Sequence, residues 1–220
     1  MLKLSLVMVV CLSLANICWP DITVPVEFKS TQMKDIGNFH GDKPANDEAG
    51  WYFWGGREPI VTPDWIVFPY TGVYRFQVEC KSHQFDPGDA AKGIFAEFDI
   101  RAHILGERNN LGEIKKLIRN VGDTQGDKVW AHGSASADDA VDPWKWVEVA
   151  SSDPTTGEPM EIQEGTKAQL EIWFTNDKWE DPKDRNLWVR GFKVLLPEGV
   201  KISVSLKSKL ATTWGALKGK

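Results

Sequence analysis

Four carboxylates fall within eight residues: Asp177, Glu180, Asp181 and Asp184. At neutral pH they repel one another. A hard cation relieves that repulsion, and calcium takes six to eight oxygens from carboxylates, amide and backbone carbonyls and water. Ca2+ is therefore the cofactor this chemistry suggests. Asp177 and Asp184 flank the loop, where two adjacent strands could bring them together. The spacing is not that of an EF-hand, which needs ligands at alternate positions and a central glycine. A solvated acidic turn is the competing reading. A second acidic group, Asp42, Asp47 and Glu48, could build a structural calcium site.

Catalytic signatures are missing from the sequence. There is no G-x-S-x-G elbow, no H-E-x-x-H and no Walker loop. His40, His83, His103 and His132 show no close metal-ligand spacing, and His103 reads as a surface residue on the polar face of a strand. A glycosidase needs two carboxylates at a set separation. Carboxylates gathered in one hairpin suit a binder better than a hydrolase, so no enzyme is expected.

The elements that carry these residues read as strands. Tyr74, Phe76, Val78 and Cys80 share one face, with Arg75, Gln77 and Glu79 on the other. That is the period of a half-buried strand. Ile94 to Ile104 repeats it, and Leu170, Ile172 and Phe174 alternate in the same way. Further strands are expected at Ile22–Phe28, Trp51–Trp54, Trp65–Phe68, Trp146–Ala150, Leu187–Leu196 and Ile202–Leu206. The alternation slips near Gly191, which suggests a bulge. Asn110–Asn120 could be a short helix or a strand. Gly106 to Glu161 is polar and rich in Gly and Asp, and reads as elaborated loops at one end of the fold. The expected fold is all-β, an antiparallel sandwich of jelly-roll type.

Composition bounds the partners. The 220 residues carry a net charge of −5, which argues against a nucleic-acid binder. Eleven tryptophans suggest a binding surface as well as a core. Residues 1–18 have one positive charge, Lys3, before an apolar run too short for a comfortable membrane span. They read as a signal peptide, which makes the protein secreted or part of the cell envelope. The sandwich is expected over 19–198. Residues 199–220 form a basic strand or tail with five lysines and no acid. Cys80 reads as a small core hydrophobe.

The string Phe174-Thr175-Asn176-Asp177, a short loop, then Asp184-Arg185-Asn186-Leu187-Trp188-Val189 resembles the calcium-dependent xylan-binding modules. These are carbohydrate-binding families 36 and 60, related to families 6 and 35. Glu161–Phe174 and Val67–Val78 are similar to strands of those modules. The resemblance covers most of the chain past residue 18, but only Phe174–Val189 is specific.

It implies a jelly roll with calcium at a loop apex, coordinated by carboxylates and by adjacent sugar hydroxyls. Asp177 and Asp184 would be the carboxylate ligands, with Asn176 beside them. Trp179 would give a backbone carbonyl or a stacking face. Asn186 would support the loop or contact sugar. Arg185 would touch sugar or pair with a loop carboxylate. The inserted segment carries Trp130, Trp144 and Trp146. Trp130 reads either as a sugar platform or as a cover for the sheet, and core packing is expected for Trp144 and Trp146. The partner expected is a polysaccharide or glycan. The alternative is an extracellular structural subunit on the same sandwich, self-associating as a homo-oligomer.

Overall fold

A computed structural model describes residues 21–35, 45–47, 50–53, 55, 59–84, 87–108, 112–116, 127–135, 144–180 and 183–201. The signal peptide and the lysine-rich segment beyond 201 lie outside these residues. So do Asp42 and Glu48, and of Asp47 only the backbone is described.

Two sheets face each other. The first is centred on β12 (Lys167–Phe174). On one side β12 pairs with β6 (Ile60–Val61) and β7 (Ile66–Val67), and on the other with β9 (Glu97–Ile104), which pairs in turn with β10 (Lys128–Ser134). β3 (Lys34–Asp35) joins β6, and β1 (Ile22–Thr23) joins β7 in parallel. The second sheet is centred on β14 (Lys183–Leu195), flanked by β8 (Arg75–Gln84) and β5 (Gly50–Phe53). β11 (Lys145–Ala150) lies beyond β8, and β4 (Ala45–Asp47) lies beyond β5. β2 (Val26–Lys29) and β13 (Lys178–Glu180) also pair with β14. Among the described residues the helical segments are a single turn, α1 (Pro87–Ala91), and a 3-10 turn at Ser30–Gln32. No helix of the described residues is long and apolar enough to cross a membrane.

The alternation seen in the sequence builds the core. Phe76, Val78 and Cys80 point inward from β8, and Leu187, Val189, Phe192 and Val194 from β14. Phe98, Ile100 and Ala102 on β9 and Leu170, Ile172 and Phe174 on β12 meet them from the first sheet. Burial pushes the Cys80 thiol up to about 12, with Glu79 adding to the effect. Only a thiolate reacts readily. In a chain beginning at Trp19, Cys80 is the sole thiol. It should stay silent to Ellman's reagent at pH 8 until the protein is unfolded, and rapid native labelling would contradict this core.

Two sequence expectations need correction, and one left open is decided. The Gly106–Glu161 segment is not simply loops: besides the strand expected at Trp146–Ala150, which is β11, it supplies β10. β10 hid from the pattern because its register shifts between Val129 and Ala131, so Trp130 and Ala131 are both buried. Of the two readings left open for Asn110–Asn120, the described residues 112–116 favour pairing, since they form no helix and Ile114 makes an antiparallel bridge to Arg108. His103 is not on the surface. It is 1% exposed, because residues 112–116 fold over the polar face of β9. The bulge near Gly191 is present, with a register shift between Val189 and Gly191.

Candidate functional site

The apex hairpin forms as the carboxylate spacing suggested. β13 and β14 pair with Trp179 opposite Asp184 and Lys178 opposite Arg185. Continuing that register brings Asp177 level with Asn186. Asp177 is exposed and Asp184 is half-buried. The Asn186 amide Nδ2 donates to Asp184 Oδ2 at 2.6 Å, which fixes that carboxylate. Asn186 itself is 0% exposed, and its Oδ1 accepts no hydrogen bond. A buried amide oxygen without a donor is costly. It is also a hard oxygen of the kind calcium takes. Asp184 and Asn186 thus offer oxygens of the kind calcium takes, and the register sets Asp177 at the same level.

Asn176 does other work. Its Oδ1 accepts from the Glu97 N–H at 2.7 Å and its Nδ2 donates to the Phe95 carbonyl at 2.9 Å. Both ends of the amide are spent tying the end of β12 to the start of β9. Arg185 is buried, donating to the Asn176 carbonyl at 3.1 Å and pairing with Asp89 of α1. Lys178 reaches the same Asp89 oxygen at 3.0 Å. Arg185 thus builds the base of the hairpin. Asp89 escaped the sequence reading because its partner lies 96 residues away. The side chain of Trp179 lies outside the described residues.

Below the hairpin, the outward face of the second sheet is aromatic. The pleat sends alternate residues to one face. Along β14 that face carries Asp184, Asn186, Trp188 and Arg190. Trp188 is paired across the strands with Tyr52 and with Lys81. The Tyr52 and Trp188 rings lie 4.6 Å apart, and Trp144 meets Trp188 edge-on at 6.5 Å. Lys81 Nζ sits 5.2 Å from the Trp144 ring and 5.4 Å from that of Trp188. The Arg190 guanidinium lies 4.6 Å from Trp144. It also grips Glu79 through two nitrogens, one at 3.0 Å, and this bond holds the guanidinium above its already high ordinary pKa.

One step further down, Trp146 lies across the bulge. A Cβ on Gly191 would stand 2.8 Å from the Trp146 ring, so only glycine leaves room for the indole here. Lys193 Nζ sits 3.8 Å from the Trp146 centroid. A cleft of about 260 Å³ opens beside it, walled by Glu27, Lys29, Glu79, Trp146 and Arg190.

These positions correct the reading of the tryptophans. Trp144 and Trp146 are not core: Trp144 is half-buried and Trp146 is 37% exposed. Val147 and Val149 turn inward on β11, which leaves Trp146 and Glu148 outside. Trp130 is 4% exposed and packs edge-on against Phe68 at 5.3 Å, so it offers no platform.

No family model matches this chain, and no curated protein does. Solved structures with a similar outline exist. One is the CBM36-1 domain of a multidomain xylanase from the hindgut metagenome of Trinervitermes trinervoides, 12% identical over 80% of this chain and 98% of that one, TM-score 0.40. A second is a β-1,3-glucan-binding CBM6 from Bacillus halodurans, 10% identical over 80% and 99%, TM-score 0.42. A third is CsCBM6-3 from Clostridium stercorarium in complex with cellobiose, 9% identical over 81% and 98%, TM-score 0.43. At this level the likeness is one of outline, and the functional argument rests on the chain's own residues.

Proposed function

We propose that this chain is a secreted, non-catalytic carbohydrate-binding protein that lays a polysaccharide along the outward face of its second sheet. One observation carries the reading: β14 presents Asp184, Asn186, Trp188 and Arg190 in alternation on a single face. Oxygen donors, an aromatic platform and a charged hydrogen-bond donor follow one another along the strand. Trp188, Tyr52, Trp144 and Trp146 offer flat apolar surface to sugar C–H faces. Arg190 and Glu79 offer directed polar groups beside it, the pattern of ligand sites generally. The pair with Glu79 holds the Arg190 guanidinium in a fixed orientation beside the rings.

The calcium ion belongs at the hairpin end. Asp177 and Asp184 would hold it with the Asn186 amide oxygen, and the Trp179 backbone borders the same end. When bound, calcium offers open positions to two neutral hydroxyls of a sugar diol. Lys178 and Arg185 pair with Asp89 from the other face of the hairpin, so they fix the loop without competing for that position.

Isothermal titration of residues 19–220 tests this. Calcium should bind, and binding should vanish in an Asp177→Ala, Asp184→Ala double variant. Titration with xylo-oligosaccharides in calcium should give heat that falls at least tenfold with EDTA. Calcium binding without sugar heat, joined by concentration-dependent self-association, would replace this reading with the structural-subunit alternative. No calcium binding at all would reduce the hairpin to a solvated acidic turn.

A further inference from the structure

The first sheet holds a buried polar cluster that carbohydrate binding does not use. His103 on β9 and Glu171 on β12 share the outward face of that sheet, and Asp127 directly precedes β10. The segment 112–116 roofs them over. The side chains of His103 and Asp127 are 1% and 0% exposed, and Glu171 is fully buried. One ligand atom from each lies within 4.8 Å of the others.

We propose that His103, Asp127 and Glu171 form a binding site for a first-row divalent metal, with zinc as the fitting ion. His103 is oriented as metal-bound histidines are. Its Nε2–H donates to the Lys116 carbonyl at 2.7 Å, and that second contact fixes the ring and turns Nδ1 toward the cluster. Nδ1 stands 3.0 and 3.2 Å from the two Asp127 oxygens. An imidazole lone pair facing a carboxylate needs a cation or a proton between them. Glu171 gives the second, independent sign. One of its oxygens accepts from Trp173 Nε1 at 2.6 Å, while Oε1 is buried with no hydrogen-bond partner. A buried carboxylate oxygen without a donor, beside a histidine and a second carboxylate, is a donor set that a divalent cation satisfies.

The donor set selects the metal. One imidazole nitrogen and two carboxylates suit zinc, at bond lengths of about 2.0–2.2 Å. Calcium wants oxygens alone and more of them. The Lys115 ammonium contacts Asp127 and is itself 2% exposed. The cluster thus already attracts a cation, and Lys115 supplies a resident one that zinc must displace. Arg101, opposite Glu171 on β9, is paired with Asp99 at 3.0 Å and lies 4.5 Å from the Trp173 ring, and its charge also acts on the Glu171 carboxyl.

The test is metal uptake by residues 19–220, stripped with chelator and dialysed against zinc in excess calcium, with content read by atomic emission. Wild type should hold one zinc per chain, and zinc should raise its melting temperature. His103→Gln should weaken zinc binding at least 100-fold. Lys115→Met, which frees the position, should tighten it about tenfold. Asp177→Ala, Asp184→Ala should leave zinc unchanged, which separates this site from the hairpin. A wild type that takes up no zinc overturns the site. Zinc held equally well by His103→Gln overturns the ligands, and weaker binding by Lys115→Met overturns the competition.

Discussion

Alanine at Asp127 should be among the most damaging single substitutions in the protein. Asp127 is the counter-charge for the buried Lys115 ammonium, and its carboxylate lies 3.0 Å from His103 Nδ1 as well. Removing one partner of a buried ion pair strands the other, at a cost of about 3–5 kcal/mol. In a domain of this size that is a fall of roughly 6–20 °C in melting temperature. Glu171 does not replace the lost charge. Burial, the larger cause of the upward shift of its carboxyl, persists without Asp127 and disfavours the charged form. Thermal unfolding with chelator present checks the claim. The double variant Asp127→Ala, Lys115→Met should recover much of the loss, since neither charge is then left alone in the interior. A single variant within about 1 kcal/mol of wild type, at the level of an exposed ion pair, would contradict the burial on which the argument rests.

The sandwich was legible wherever one face of a strand was apolar and the other polar. β8 and β9 carry that signal in their residue types, and the core follows it directly. β10 broke the signal because its bulge buries Trp130 and Ala131 in succession. β11 misled for another reason. Trp146, Val147, Glu148 and Val149 alternate, but an aromatic on one face and valines on the other leave open which side is inside. The acidic hairpin could be read because Asp177 and Asp184 are close in sequence. The Arg185–Asp89 pair and the row Tyr52, Trp188, Lys81 and Trp144 could not, because their members come together only through the sheet. His103 illustrates the same limit. Alternation put it on the polar face, and the burial of that face depended on a segment folding back over it.

The largest functional effect should come from the aromatic face. Trp188→Ala and Trp146→Ala should each weaken polysaccharide binding by about 2 kcal/mol, the scale of a buried aromatic anchor. That is roughly 30-fold apiece. The two rings answer to different cations, Lys81 and Lys193, so their losses should largely add, to about 1,000-fold in the double variant. Both rings lie outside the core, so the variants should unfold cooperatively and still bind calcium at the hairpin. Trp173→Ala, on the outward face of the other sheet, should leave polysaccharide binding unchanged and serves as the control. Affinity electrophoresis in gels with and without xylan separates the outcomes. Loss at Trp188 with Trp146 unaffected would confine the sugar to the hairpin and the row directly beneath it. Loss at both would extend the contact down to the cleft beside Gly191, a length that takes more than one sugar ring. Retention in the double variant would remove the face from the binding surface altogether. It would leave the calcium hairpin to hold the glycan alone, through hydroxyls rather than through stacking.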